Sequence, residues 1–165
     1  MIFYIYFRDT PFYTSKYEKL IKMGVTSNLY HRLETYKTYE IKKNNVLKLI
    51  KFNSSVKNSE IKFKIEELFQ NYYKKFNFVK NAGKEFYLFQ IFNSLNETII
   101  NNIIENYTDV ISYEIIDDID KEINESYIKY NKYYQDIINF VSSNKKKDNK
   151  FKNKYFKNIK VIKDY

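Results

Sequence analysis

The sequence predicts an α+β fold: a small three-stranded antiparallel sheet flanked by helices, with a C-terminal helical extension and a basic tail. Three observations predict it. Apolar runs of strand length open the chain at residues 2–7 and return at 20–25 and 46–52. The segments between and after them carry apolar residues at helical spacing. The longest stretch of that helical pattern, residues 119–141, comes after the sheet-forming part.

Residues 2–7 are too short an apolar run for a helix, and the turn-prone stretch 8–14 that bounds them holds the only proline, Pro11, so they read as a strand. Alternation puts Phe3, Ile5 and Phe7 on one face and Tyr4 and Tyr6 on the other. In residues 20–25, Ile21 and Met23 share one face and Lys22 and Gly24 the opposite one. Joined as a hairpin, these strands place Tyr6 and Lys22 on the same side of the sheet. Thr26, Ser27 and Asn28 offer caps for a helix carrying Leu29, Leu33 and Tyr36, on which Arg32 and Tyr36 are i,i+4 neighbours. Residues 46–52 supply the third strand.

Asn58 or Ser59 then caps a second helix with Ile61, Ile65, Leu68, Phe69 and Tyr72 as its apolar stripe. Glu60 and Lys64 pair along it, and Lys74 and Lys75 suit its C-terminal end. Gly83 marks a turn over 81–84 that leads into Glu85-Phe86-Tyr87-Leu88-Phe89. Ser94 with Glu97 is a capping-box pattern ahead of Leu95, Ile99, Ile103 and Tyr107, predicting a third helix. Residues 110–116 read either as one more short strand or as an extended linker. From 119 to 141, Ile123, Tyr127, Tyr130, Tyr134, Ile137 and Val141 alternate spacings of four and three. That seam serves either packing within the chain or self-association through residues 119–141.

The 165 residues suit one domain with additions: a core over 1–92, a helical extension with an acidic segment over 93–141, and a Lys-rich tail over 142–165. With 44% hydrophobic and 19% aromatic residues, a sizeable core is available. The abundance of Asn, Lys, Ile and Tyr is that of an AT-rich genome, so a single Lys or Tyr is weak evidence of function. The absence of cysteine excludes a disulfide framework and a thiolate metal site. Residues 1–7 lack a basic leader and stop at Arg8 and Asp9, too soon for a signal peptide, and no run reaches membrane-spanning length. The expectation is an intracellular soluble protein, of cytoplasm or nucleus and compatible with a viral or phage origin, with no membrane partner.

The net charge of +9 is unevenly laid out. Residues 1–108 carry 17 Lys and Arg against 10 Asp and Glu. Residues 109–125 carry seven acids against Lys121 alone, and residues 142–165 carry nine Lys against two Asp. A basic surface attracts phosphate backbones by releasing counterions, without sequence readout, so DNA is the expected partner of the first 108 residues. The tail either shares in that attraction or folds back on the acidic stretch.

The order strand, loop, strand, helix, strand, helix, with Tyr4-Ile5-Tyr6 in the first strand and Lys22-Met23-Gly24 in the second, resembles the core of the GIY-YIG nuclease superfamily. It is most similar to the phage-type branch whose second motif reads Lys-Ile-Gly with a Thr two residues on. Met23 stands in the Ile position, and Gly24 and Thr26 match. Arg32 follows Gly24 by eight residues, where the family places a catalytic arginine on the first helix. Glu85, in Gly83-Lys84-Glu85-Phe86-Tyr87, stands where that branch carries its metal-binding glutamate. Both glycines of the chain fall inside these motifs. The departures are Tyr4 for the first glycine, Lys22 for the second-motif tyrosine, and Tyr36 for a histidine that several members carry one helical turn after the arginine.

The resemblance implies a metal-dependent endonuclease that hydrolyses phosphodiester bonds of duplex or branched DNA. In that reading Glu85 holds one Mg²⁺ or Mn²⁺ and Arg32 contacts the scissile phosphate. Tyr6 deprotonates or orients the attacking water, with Lys22 as the cation that stabilises its anion. Tyr4, Gly24 and Thr26 are motif framework, and His31, the only histidine, and Tyr36 are phosphate contacts. Tyr36 replaces a group that titrates near neutrality by a phenol that does not. An alternative keeps the fold without turnover, as a nucleic-acid-binding, structural or assembly protein. A third makes the 119–141 seam an interaction module and the N-terminal part its scaffold. No separate DNA-reading module such as a zinc finger is present, so high sequence specificity is not expected.

Overall fold

The first strand, β1 (Ile2–Asp9), is buried from Phe3 to Arg8, which requires a covering layer on both of its faces. The computed structural model that shows these layers describes residues 1–9, 20–37, 46–56, 60–76 and 85–143. The turn at Pro11, the cap at Asn58 or Ser59, the 81–84 turn with Gly83 and the Lys-rich tail from residue 144 lie outside the described residues. The chain divides into two units, Met1–Ser126 and Tyr127–Tyr165.

β1 is central, flanked by β2 (Leu20–Thr26) and β3 (Val46–Ser54), and two more strands complete the sheet: β4 (Phe86–Leu88) beside β2 and β5 (Val110–Ile115) beside β3. The order is β4-β2-β1-β3-β5, with every pair antiparallel. The expected three-stranded sheet is therefore five-stranded. β4 is only three residues long, and β5 is a half-exposed edge strand with Ile111 63% exposed, so neither carries the apolar run that marks the central strands. Of the two readings of residues 110–116, a short strand or an extended linker, the structure has the strand, β5. β1 also runs two residues further than expected, with Arg8 and Asp9 in the strand rather than in a turn.

One face of the sheet, with Phe3, Ile5, Phe7, Ile21, Met23, Ile50 and Phe52, packs against α2 (Glu60–Tyr72), α3 (Gln90–Ser94) and α4 (Glu97–Ile104). α2 contributes Ile61, Ile65 and Phe69, one residue per turn of its apolar stripe. Phe52 stacks on Phe3 with centroids 5.2 Å apart and meets Phe69 edge-on at 6.1 Å. The cap of α4 differs from the expected Ser94: Asn96 accepts the Ile99 N–H at 3.0 Å, while the Ser94 hydroxyl donates to the Ile91 carbonyl and closes α3.

The other face, with Tyr4, Tyr6 and Leu49, is covered by α1 (Leu29–Lys37) through Leu29 and Leu33, and by Ile116 and Ile123. Ile123 lies in the first turns of α5 (Ile119–Ser143), so the first residue of the 119–141 seam serves the core of its own unit. Tyr4 donates to Glu122 Oε1 at 2.6 Å, and Lys51 meets the same oxygen at 2.9 Å. A buried carboxylate is tolerable only with such partners. Burial and the Glu122 carboxylate push the Tyr4 phenol well above its ordinary value, so it stays a donor.

Phe69→Ala is expected to lower unfolding free energy by about 3–5 kcal/mol, because the ring is fully buried against Phe52 and leaves a cavity. Urea denaturation followed by circular dichroism measures this.

Candidate functional site

The site is built where β1 and β2 run side by side on the α1 face. Register sets Tyr6 opposite Gly24. A Cβ added to Gly24 would lie 2.6 Å from Tyr6 Cζ and closer still to its hydroxyl, so the phenol lies directly across the glycine. Any other residue would lift the ring off the strand.

β2 hands the chain to α1 through a tight turn. Thr26 Oγ1 accepts the Asn28 N–H at 3.1 Å and donates to the Asn28 carbonyl at 2.9 Å. Asn28 Oδ1 caps the His31 N–H at 3.0 Å, and Ser126 Oγ takes the Tyr30 N–H, also at 3.0 Å. With its start fixed twice over, α1 directs Arg32 and Tyr36 at Tyr6. Arg32 Nε donates to Tyr6 Oη at 3.0 Å, and the Tyr6 and Tyr36 hydroxyls share a hydrogen bond of 2.7 Å. Tyr36 also meets the Tyr6 ring edge-on at 6.3 Å.

Glu85 enters from the start of β4. Its carbonyl accepts the Met23 N–H at 2.9 Å, which pins it to β2, and its Oε2 pairs with Lys22 Nζ at 2.8 Å. Lys22 was expected to be the cation on Tyr6. It lies on that side of the sheet but turns to Glu85, because Lys22 is in register with Phe86 and the neighbouring carboxylate is within reach. The cation on the Tyr6 hydroxyl is Arg32. Lys22 Nζ lies 5.3 Å and Arg32 Cζ 5.4 Å from the centroid of the Tyr36 ring, and Arg8 Cζ stacks on that ring at 3.9 Å.

Tyr6 is fully buried. Burial first, and then Tyr36, push its phenol well above the ordinary value, and Arg32 only partly opposes this. That direction is opposite to the one a base needs. Tyr6 is therefore placed as an acceptor for Arg32 and a partner for Tyr36.

Of the expected residues, the fold gathers Tyr6, Lys22, Gly24, Arg32, Tyr36 and Glu85. It leaves three outside the cluster: the Tyr4 hydroxyl goes to Glu122, Thr26 forms the turn, and the His31 side chain is exposed on α1. Two residues join that sequence reasoning missed: Arg8, which was expected in a turn, and Glu66, which was not singled out. Glu66 in fact accepts the Val25 N–H on the β2 edge beside β4, and burial and then Glu85 raise its carboxyl above the usual range. No local signal marks it, because its position depends on where α2 crosses β2. Glu85 and Glu66 are the oxygen donors at this edge. Among the described residues, no group of three or more His, Cys, Asp or Glu is arranged to hold a metal, and no helix is long and apolar enough to cross a membrane.

Gly24→Ala is expected to cost about 1–3 kcal/mol by forcing the Tyr6 ring out of its place. Tyr6→Ala should remove most of that penalty, so the two changes are strongly non-additive in urea denaturation. Additive losses would refute the contact as its cause.

No curated protein and no solved structure matches the chain. A family model does match, over residues 1–108, a span that takes in Tyr6, Arg8, Lys22, Gly24, Arg32, Tyr36, Glu66 and Glu85. On that match the chain belongs to the T5orf172 domain family.

Proposed function

We propose that the protein is a metal-dependent endonuclease of the GIY-YIG type that hydrolyses phosphodiester bonds in duplex or branched DNA. The observation that carries this reading is the convergence of Arg32 and Tyr36 on Tyr6, with the Lys22–Glu85 pair beside them on β2. T5orf172 domains are associated with phage-type nucleases and nucleic-acid binding, and the positive balance of residues 1–108 supports a polyphosphate partner.

Each residue has a task in this reading. Arg32, held through Nε by Tyr6, presents the rest of its guanidinium fork to the scissile phosphate, where it offsets charge developing in the transition state. Tyr6 fixes Arg32 and Tyr36 and does not itself take a proton. Tyr36, less buried than Tyr6, offers its hydroxyl to orient the attacking water. Glu85 is the metal residue, its side chain 42% exposed, and carboxylate oxygens suit a hard cation such as Mg²⁺ or Mn²⁺. Such a cation, when bound, activates water and offsets phosphate charge. Lys22 balances Glu85 and adds a positive charge at the β2 edge.

Supercoiled plasmid incubated at low salt with Mg²⁺, Mn²⁺ or EDTA tests the reading. The wild type should nick in a metal-dependent way, and Arg32→Ala and Glu85→Ala should each slow nicking by about a hundredfold or more with unchanged circular dichroism. Retained cleavage in both purified variants would sink it. If none of the three cuts while all still retard the plasmid, the protein binds DNA without turnover.

A further inference from the structure

We infer that Arg8 is a positioning residue of the site, a buried guanidinium that fixes the Tyr36 ring against Tyr6 and places a third positive charge beneath it. The inference rests on the phosphodiester reading above and adds to it a residue outside the motifs.

Alternation along β1 puts Arg8 on the face that carries Tyr4 and Tyr6. At this point the pairing with β3 slips: Phe7 pairs with Lys48 but Arg8 with Val46. The extra residue, Leu47, lies on β3, so β1 keeps its alternation and Arg8 stays on the Tyr6 face, and bulges gather next to active sites. Arg8 is 3% exposed, and its guanidinium lies 3.9 Å from the centroid of the Tyr36 ring. Burying a cation is costly, whereas Leu or Met would fill similar space without that cost. A guanidinium adds two things they lack: a planar group that stacks on an aromatic face, and a permanent charge.

Both are wanted at Tyr36. This residue stands on the last turn of α1, which ends at Lys37, so helix packing alone holds its ring weakly. Arg8 on the ring face and Tyr6 at the ring edge set its orientation, and with it the 2.7 Å hydroxyl pair. The charge acts with Arg32 and Lys22, whose cationic groups lie 5.4 Å and 5.3 Å from the same centroid. Being buried, the Arg8 charge is screened by salt less than those of exposed lysines.

The test compares wild type, Arg8→Met, Arg8→Lys, Tyr36→Leu and the Arg8→Met/Tyr36→Leu double variant. Three quantities are read: thermal melting, metal-free binding of a fluorescent DNA duplex by anisotropy, and kcat and KM for plasmid nicking. Arg8→Met should bind about fivefold more weakly and show kcat lowered by about tenfold. Arg8→Lys, which restores charge but not the planar stack, should recover binding and only part of kcat. In the Tyr36→Leu background, Arg8→Met should have little further effect on kcat.

Wild-type binding and kcat in Arg8→Met, or an equal loss of kcat with and without Tyr36, would overturn the inference. If Arg8→Met does not fold, Arg8→Lys decides it: wild-type kcat there excludes the stacking role, and lowered kcat at unchanged melting supports it. If the wild type does not nick with either metal, the nuclease reading fails. Arg8 is then judged by anisotropy alone: the inference stands on a weaker Arg8→Met complex restored by Arg8→Lys, and falls if the three bind alike.

Discussion

The close approach of the Tyr6 ring to the bare backbone of Gly24 is the constraint from which the site follows. It works only because β1 and β2 are in a register that sets these residues opposite each other, and because both faces of β1 are covered. With the ring held across β2, its hydroxyl is the fixed point to which α1 delivers Arg32 and Tyr36. A slip of one residue would turn Tyr6 and Gly24 to opposite faces and dissolve the cluster. The glycine is thus kept for space.

Burial decides how the polar groups divide their work. Tyr6 has its hydroxyl engaged on both sides in an environment that opposes its ionisation, while Tyr36 and Glu85 stand nearer to solvent. A residue motif says which groups are present but not which of them water can reach. The same applies to Tyr4, adjacent to Tyr6 on its face, whose hydroxyl is committed to Glu122 and whose role is to fasten the start of α5.

The central strands and the longer helices were legible in the sequence because they depend on local periodicity, whereas the candidate site residues were picked out by an order of motifs that resembles a known family. Phe3, Ile5 and Phe7 alternate against Tyr4 and Tyr6 as the sheet requires, and Ile61, Ile65 and Phe69 mark the buried stripe of α2. Arg32 and Tyr36 are neighbours by helix geometry alone. What was not legible depends on tertiary placement. β5 is a weakly patterned edge that the sequence left open between strand and linker, and Glu66 reaches the site only because α2 crosses the unpaired end of β2. Arg8 looks like the start of a turn until α1 is laid over it. Lys22 was assigned to the correct side but the wrong partner, since alternation fixes a face and not a reach.

The contact between Ser126 and the start of α1 gives the family boundary a different meaning in this chain. The matched span ends at residue 108, yet Ile116, Glu122, Ile123 and Ser126 lie beyond it and close the face on which the site is built. In this chain the flank of the matched span is sealed by residues that follow it. A change in residues 116–126 would therefore alter the rigidity with which α1 holds Arg32 and Tyr36 without touching any residue of the cluster.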